Sequence, residues 1–598
     1  MSKNKPDKVK MSQAIKNTSF ILKIVFKASP GMAIMRLVMG LITGLNHGVN
    51  IYFISEILNA VDLGLPIEQI FAIIGAMASY NLAYILFYNW HWKIYNPKYK
   101  LDFIRKLHKR FFVKAWEIDL SCYDTPEFYN DFIYSMQNSD KSIIGTLDHI
   151  SDLLRCLVAS VSVLAIMLDV NIIIAVAIFG FAITNMILSI AENGVYYKYD
   201  LMLNKIYRKE WYIDRFFSLS DYAKEIRLTD ISTNMMDEYH KNKDEERKYH
   251  IKRNIRVTAI RTVRTLLQIG ENVFIILFMA YHLMVTKTIL IGGFAIAIMA
   301  ANKLRGMIWE IQYRITQMNK SSVYADKVRR FLETKSGIVS GDKILDTFES
   351  LEFRNVCFAY KDKNVLENVS FKVNKGERIA FVGYNGAGKT TTTKLIMRLY
   401  DVTSGEILIN GINIKEYDIV SLREKMGAVF QDYKVFAATV AENVLADKYT
   451  PDKEKTVLSA LNDSTFGDKL GTLEKGINTE LTREFYDDGT ELSGGESQKI
   501  AIARVFAHNN ELIIMDEPSS ALDPIAEYNL NMGIDKNARD KTVVFITHRL
   551  STTRHVDRIY MFEYGKITEQ GSHNQLIEQN GNYARMFNLQ AEKYKVKA

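Results

Sequence analysis

Residues 378–391 read RIAFVGYNGAGKTT: a short apolar run, Arg378–Val382, then Gly383–Thr390 (GYNGAGKT), then a helical pattern opening at Thr391. A buried strand, a glycine-rich turn and a helix in that order make a phosphate-binding loop in the context it requires. Gly383, Gly386 and Gly388 let backbone N–H groups close around phosphate oxygens without side-chain clash. Tyr384, Asn385 and Ala387 complete the cradle with their own amides. Lys389 reaches the β- and γ-phosphates of a nucleoside triphosphate, and Thr390 offers a hydroxyl to Mg²⁺. The helix start at Thr391 adds its partial positive charge to the anion site.

Downstream, three further apolar runs end in chemistry. Leu512–Met515 (LIIM) delivers Asp516 and Glu517, Thr542–Thr547 (TVVFIT) delivers His548, and Ala428–Phe430 precedes Gln431. Open α/β sheets place their ligands at the carboxyl ends of strands, so adjacent carboxylates there divide labour. Asp516 is expected to hold Mg²⁺ through water, and Glu517 to polarise the water that attacks the γ-phosphate. His548 is placed to contact that phosphate. From Leu351 onward, short β-rich runs alternate with helical patterns, predicting an α/β ATPase domain over 351–598 with a mostly parallel sheet.

Upstream the texture changes. A bilayer-spanning helix needs about 20 mostly apolar residues, since only a helix satisfies its backbone within hydrocarbon. Stretches near Pro30–Leu58, Ile67–Tyr88, Leu147–Leu168, Ile172–Ile190, Val263–Val285 and Ile289–Ile311 qualify. About six spans follow, an even count that puts both termini on one side. Basic segments around Lys16–Lys27, Lys93–Lys114 and Lys198–Arg256 alternate with short turns at Asn59–Pro66, Asp169–Asn171 and Val285–Thr288, which carry only Lys287. Basic loops stay cytoplasmic, so both termini and the ATPase domain are expected in the cytosol, with the chain multi-pass in the inner or plasma membrane. The long basic connections read as helical extensions, and Asp119–Asn130 and Tyr222–Asp230 within them as short docking helices. The division is a membrane domain over 1–320, a linker over 321–350 and the ATPase domain. Glu56 and Glu271 fall inside apparent spans, where a charge is costly, so they are candidate contacts for a cationic cargo; pairing of Glu271 with Arg264 two turns away is the alternative.

Totals agree with this split. At 598 residues the chain exceeds one domain, and its 48% hydrophobic content is concentrated in the first half. Cys122, Cys156 and Cys357 lie too far apart for a metal or disulfide framework. The net charge of +8 flanks apolar spans and forms no basic face, which points to the lipid bilayer and away from nucleic acid. Lys3, Lys5, Lys8 and Lys10 are not followed by a short apolar core and cleavage site, so no cleavable signal is expected.

Leu492–Glu496 (LSGGE), between the phosphate loop and Asp516, resembles the signature of the ATP-binding-cassette (ABC) family, and the order of parts resembles an exporter half-transporter. The resemblance implies that Tyr360 stacks on adenine, that Gln431 senses Mg²⁺, and that Ser493, Gly494, Gly495 and Glu496 face the γ-phosphate of ATP bound to a second subunit. It assigns Ser520–Asp523 (SALD) to the loop joining the two sites, and Tyr123–Tyr129 and Lys224–Leu228 to coupling helices. The implied unit is a dimer, a homodimer by preference, with ATP and Mg²⁺ as ligands. Glu496 stands where glutamine is commoner, and Arg483–Glu491 (REFYDDGTE) is similar to segments of peptide and bacteriocin exporters. No room is expected before Lys16 for a leader-cleaving peptidase. A soluble chromosome-maintenance ATPase also carries LSGG, but lacks apolar spans; a non-transporting regulator on the same scaffold is the other alternative.

Overall fold

The computed structural model describes residues 11–361, 363–518, 524–537, 540–548 and 552–592. It divides into two compact units: residues up to Glu117 with Pro126–Thr334, and Ile118–Thr125 with Lys335 onward.

The first unit is helical: α1 Met11–Ala28, α2 Pro30–Asp62, α3 Ile67–Trp90, α4 Asn96–Glu117, α6 Pro126–Val170, α7 Ile172–Ser218, α8 Ala223–Leu228, α9 Ile231–Met284 and α10 Ile291–Glu333, with α5, Leu120–Tyr123, in the other unit. Among the described residues, six stretches are long and apolar enough to cross a membrane, as the hydropathy pattern predicts. Their helices run much further than the apolar windows: α6 opens at Pro126, α7 continues to Ser218, and α10 continues to Glu333 through the first part of the expected linker. Charged surface does not stop a helix; caps and prolines do. Asn171 caps α7 by accepting from the Ile173 and Ile174 N–H groups at 2.9 and 3.2 Å, which reverses the chain after α6 in a single residue. Small residues set the packing. Gly40, Gly44 and Gly48 of α2 lie against Ser151, Arg155 and Ser162 of α6, where an added Cβ would sit 2.6–2.8 Å from the neighbouring atoms. Val163 and Met167 of α6 join Ile178, Met279, Ala297 and Ala301 in one apolar core. The span on α3 has a mean hydropathy of 1.8 and buries none of its window, which suits a lipid solvent and not water.

The second unit holds a four-stranded antiparallel sheet, in the order β2-β1-β4-β5, of β1 Ser350–Tyr360, β2 Lys363–Asn374, β4 Ser404–Ile409 and β5 Ile412–Asn413. Its six-stranded sheet, in the order β10-β9-β3-β8-β7-β6, contains β3 Arg378–Gly383, β6 Met426–Val429, β7 Leu512–Asp516, β8 Thr542–Ile546, β9 Arg558–Glu563 and β10 Lys566–Gly571. All its pairs are parallel except β9–β10. β7 and β8 are buried along their whole length, which is why each reads as an unbroken apolar run. Because β3, β8, β7 and β6 are consecutive neighbours, their carboxyl ends lie in a row. The helix after the phosphate loop starts at Lys389, two residues before the expected Thr391, because Gly388 takes the N-cap place at φ 106°.

Candidate functional site

That row of strand ends builds the site. The loop after β3, Gln431 after β6, Asp516 and Glu517 at the end of β7, and His548 after β8 converge on a pocket of about 690 Å³. Its lining includes Tyr360, Asn385–Thr391, Gln431, Asp516, Glu517 and His548, so most residues singled out in the sequence meet at one place. Gly383 and Tyr384 stand behind it, where their carbonyls accept from Lys389 Nζ at 2.8 and 3.0 Å. The ammonium is thereby held ready inside the cradle, and burial lowers its pKa. Gly383 has φ 146°, and an added Cβ would lie 2.1 Å from the Phe562 carbonyl oxygen of β9. Gly383→Ala is therefore expected to destabilise the ATPase unit by about 2 kcal/mol or more. Thermal unfolding of the full chain, followed with and without ATP, measures it; an unchanged transition would mean that the loop does not need this glycine.

Thr390 Oγ1 donates to Asp516 Oδ2 at 3.0 Å. Burial raises the Asp516 pKa to about 6; the Thr390 hydrogen bond opposes the shift, and the neighbouring Glu517 carboxylate adds to it. Two hard oxygen donors, with excess negative charge behind them and open pocket in front, fit Mg²⁺, which takes one or two protein oxygens and leaves other positions to water and phosphate. Among the described residues no cluster of three or more His, Cys, Asp or Glu exists to hold a metal without such help.

Glu517 has a left-handed backbone, φ 51°, which is uncommon outside glycine and concentrates at working sites. Two bonds pin it: its N–H donates to the Ile546 carbonyl at 2.9 Å, and its carbonyl accepts from Gln498 Nε2 at 3.0 Å. The carboxylate lies 3.0 Å from His548 Nε2. Burial, aided by Lys389, lowers the His548 pKa despite Glu517, so at neutral pH the contact is a hydrogen bond of a neutral imidazole.

The LSGGE segment is not part of this pocket. Ser493 caps the helix Gly494–Phe506: its hydroxyl accepts from Glu496 N–H at 3.3 Å, and Glu496 Oε2 accepts from Ser493 N–H at 2.8 Å. A capping box takes glutamate or glutamine equally, which gives the departure at Glu496 a structural reason; Lys469 also pairs with it at 3.1 Å. Tyr433 Oη donates to the Gly494 carbonyl at 2.7 Å, tying the strand end beyond Gln431 to this helix. Gln498 and Tyr433 escape a reading by motif, because each acts through a backbone atom whose position only the fold reveals. Asp523 and the rest of Ser520–Asp523 lie outside the described residues.

Both docking segments contain helix. In the ATPase unit, Asp119 at the start of α5 accepts from Ile338 N–H at 3.0 Å and from Ser336 and Gly337, and Asp124 accepts from Tyr400 Oη at 2.8 Å. α8 buries none of its residues.

Glu271 is paired, as the alternative reading has it, but with a different arginine. Glu271 is 1% exposed and pairs with Arg305 of α10 at 2.8 Å, not with Arg264. Arg264 instead pairs with Glu192 at 2.9 Å, which Arg261 shares at 2.6 Å. Glu56 is half-buried, about 9 Å along α2 from its end at Asp62 by helical rise. Glu271→Gln should therefore leave Arg305 without its counterion and destabilise the membrane unit by about 3 kcal/mol, and adding Arg305→Gln should restore part of the loss. Melting temperatures of the four solubilised variants test this; strictly additive effects would remove the pair.

A model of the ABC transporter family matches residues 366–520. The chain is similar to the subtilin transport ATP-binding protein SpaT of Bacillus subtilis, 27% identical over 97% of this chain and 96% of that protein. It is 38% identical to the putative multidrug export ATP-binding/permease protein YgaD of Bacillus subtilis (strain 168), over 46% of this chain and 47% of the relative. With the ATP-dependent lipid A-core flippase of Pasteurella multocida (strain Pm70) it shares 38% identity over 40% of this chain and 41% of the relative. The last two alignments thus span about half of those relatives or less. The solved structure of a bacterial Atm1-family ABC exporter with ATP bound superposes with a TM-score of 0.73 at 22% identity, covering 96% of this chain and 99% of that one. Residues 366–520 carry an ABC transporter ATPase domain, which follows six apolar helices among the described residues, and the chain has the fold of an ABC exporter.

Proposed function

We propose that the chain is one subunit of a dimeric exporter that uses ATP to move an amphipathic cargo, a peptide by preference, across the cytoplasmic membrane. The observation that carries this reading is the pocket itself: it assembles the phosphate cradle, Asp516, Glu517 and His548, yet leaves out Ser493–Glu496 of the same chain. A second copy supplies that segment. Residues 1–320 are then the membrane domain, 321–350 the linker and 351–598 the nucleotide-binding domain, with both termini in the cytosol as the basic loops require.

Within the site, Tyr360 stacks on adenine, the loop amides and Lys389 hold the β- and γ-phosphates, and His548 contacts the γ-phosphate. Thr390 and Asp516 would hold Mg²⁺ beside Gln431, and the bound ion would neutralise phosphate charge. Glu517 orients the attacking water, its left-handed backbone aiming the carboxylate out of the strand end. ATP joins the two ATPase domains. Closure passes through Asp119–Asn130 and Tyr222–Asp230 to switch the membrane domain between inward and outward access, and hydrolysis resets it. The peptide preference rests on likeness along nearly the whole chain to a protein named for subtilin transport, and on the Arg483–Glu491 segment.

Proteoliposomes with the ATPase unit outside provide the test. A labelled cationic amphipathic peptide should accumulate inside only with ATP and Mg²⁺. Active hydrolysis without accumulation of any peptide or hydrophobic cation would favour a non-transporting regulator.

A further inference from the structure

We propose that Tyr564, in the turn between β9 and β10, covers the base of the bound nucleotide as a second aromatic contact beside Tyr360. The inference rests on the reading of the pocket as an ATP site and deepens it: it names a residue that sets how tightly the base, as distinct from the phosphates, is held.

The chain around the turn places it. Glu563 and Lys566 face each other across β9 and β10, so Tyr564 and Gly565 are the two residues of a tight hairpin turn. β9 runs parallel to β3 with Phe562 opposite Gly383, and the turn therefore leaves β9 at the same edge as the phosphate loop. β2 fixes it from the other side. The Gly565 carbonyl accepts from the Glu367 N–H at 2.9 Å, and a Cβ on Gly565 would lie 2.4 Å from the Val365 carbonyl oxygen. A Cβ on Gly388 of the phosphate loop would lie 3.3 Å from that same oxygen. The two glycine turns thus flank one carbonyl, and Tyr564 and Gly565 line the pocket of about 690 Å³ together with Gly388, Lys389 and Tyr360.

The backbone singles Tyr564 out. Both turn residues have positive φ, 49° at Tyr564 and 79° at Gly565. Such a turn favours asparagine, aspartate or glycine at its first position, and a bulky residue there stores strain. The ring gains nothing from the protein in return, for Tyr564 is 96% exposed. A single exposed aromatic side chain is ordinary on a surface. A strained one on the lining of a nucleotide site is placed to meet a ligand.

The lining then divides the ligand between its parts. Apart from the His548 imidazole, Tyr360 and Tyr564 carry the only aromatic rings among the described residues of the pocket. Tyr360 is a fixed platform, its ring packed edge to face with Phe358 and Tyr400 at centroid distances of 4.8 and 5.3 Å. Tyr564, almost wholly exposed, is free to turn onto a ligand. The loop amides and Lys389 take the phosphates, which leaves the base as the part of ATP that offers a flat face to a phenol ring.

The test is steady-state ATP hydrolysis by the full chain in lipid nanodiscs. Ribose 5-triphosphate, which keeps the sugar and phosphates and lacks the base, serves as competitive inhibitor. Tyr564→Asn removes the ring and suits the left-handed backbone better than tyrosine, so its melting temperature should equal or exceed that of the natural chain. Its KM for ATP should rise about fivefold or more, as the loss of one ring stacked on a base requires, with kcat within about twofold and the inhibition constant of ribose 5-triphosphate unchanged. Tyr564→Phe should keep the natural KM, because stacking uses the ring and not the hydroxyl. Tyr564→Gly, which the same backbone accepts, should repeat the asparagine result and decides if that variant does not fold. An unmoved KM in Tyr564→Asn, an equal weakening of ATP and ribose 5-triphosphate, or a phenylalanine variant as weak as the asparagine one would each overturn the proposal. Hydrolysis that survives Lys389→Ala would fail the ATP-site reading and the proposal together, whereas hydrolysis lost there with an unmoved KM in Tyr564→Asn would fail the proposal alone.

Discussion

Replacing Glu517 by glutamine is expected to slow ATP hydrolysis at least about 100-fold while ATP binding persists, because the variant keeps the shape of the site and loses the group that orients water. Geometry supports this separation of effects. Glu517 is held through its backbone, by the Ile546 carbonyl and by Gln498, so the exchange leaves those bonds in place. Its side chain meets His548, which is neutral at physiological pH and can hydrogen-bond a carboxamide as it does a carboxylate. The phosphate cradle is untouched: Lys389 is fixed by the Gly383 and Tyr384 carbonyls. ATP-loaded dimers should therefore accumulate, seen as a shift in size-exclusion chromatography at low temperature. Turnover within a few-fold of the natural chain would remove Glu517 from the water-orienting role and turn attention to His548.

Much of this was legible in the sequence, for identifiable reasons. Spans such as Ile172–Ile190 declare themselves because a bilayer demands about 20 apolar residues in a row. The strands Leu512–Met515 and Thr542–Thr547 do so because a parallel sheet covered on both faces writes continuous apolar runs. The phosphate loop is local, so its residues are neighbours in sequence and in space. What stayed hidden depends on long-range placement. The extension of α7 beyond its span is read from apolar residues interleaved among charges, but its end at Ser218 is not, since a solvated helix has no apolar signature to lose. Pairing along one helix suggested Arg264 for Glu271, whereas the partner, Arg305, lies on α10 and becomes a neighbour only when α9 and α10 pack. Gln498 looks like an ordinary residue of an amphipathic helix until β7 brings the Glu517 carbonyl to it. The left-handed turn at Glu517 has no sequence signal, since glutamate carries none of the usual preference for that region.

The same separation of local and long-range features leads to the largest expected effect. Lys389→Ala removes the cation from the cradle, and Ser493→Ala removes the hydroxyl that caps the helix Gly494–Phe506; each variant alone should be nearly inactive. If the Ser493–Glu496 segment served its own cradle, mixing the two would restore nothing, because every site would carry a lesion. If it serves the partner's cradle, a mixed dimer contains one site with both lesions and one with neither. Random assembly makes about half of the dimers mixed, and one site in each is intact, so activity near a quarter of the natural level should return if the sites turn over independently. Co-expression of two differently tagged chains, followed by tandem purification of the mixed dimer, raises the expected value to about half. Activity that stays at the level of the single variants would mean either that the site is completed within one chain or that both sites must hydrolyse in alternation. Fusing the two chains head to tail separates these outcomes. A fusion of two natural chains with one Glu517→Gln should keep substantial activity if the sites are independent and lose nearly all of it if they alternate, whereas a site completed within one chain would leave a single-chain ATPase insensitive to dilution.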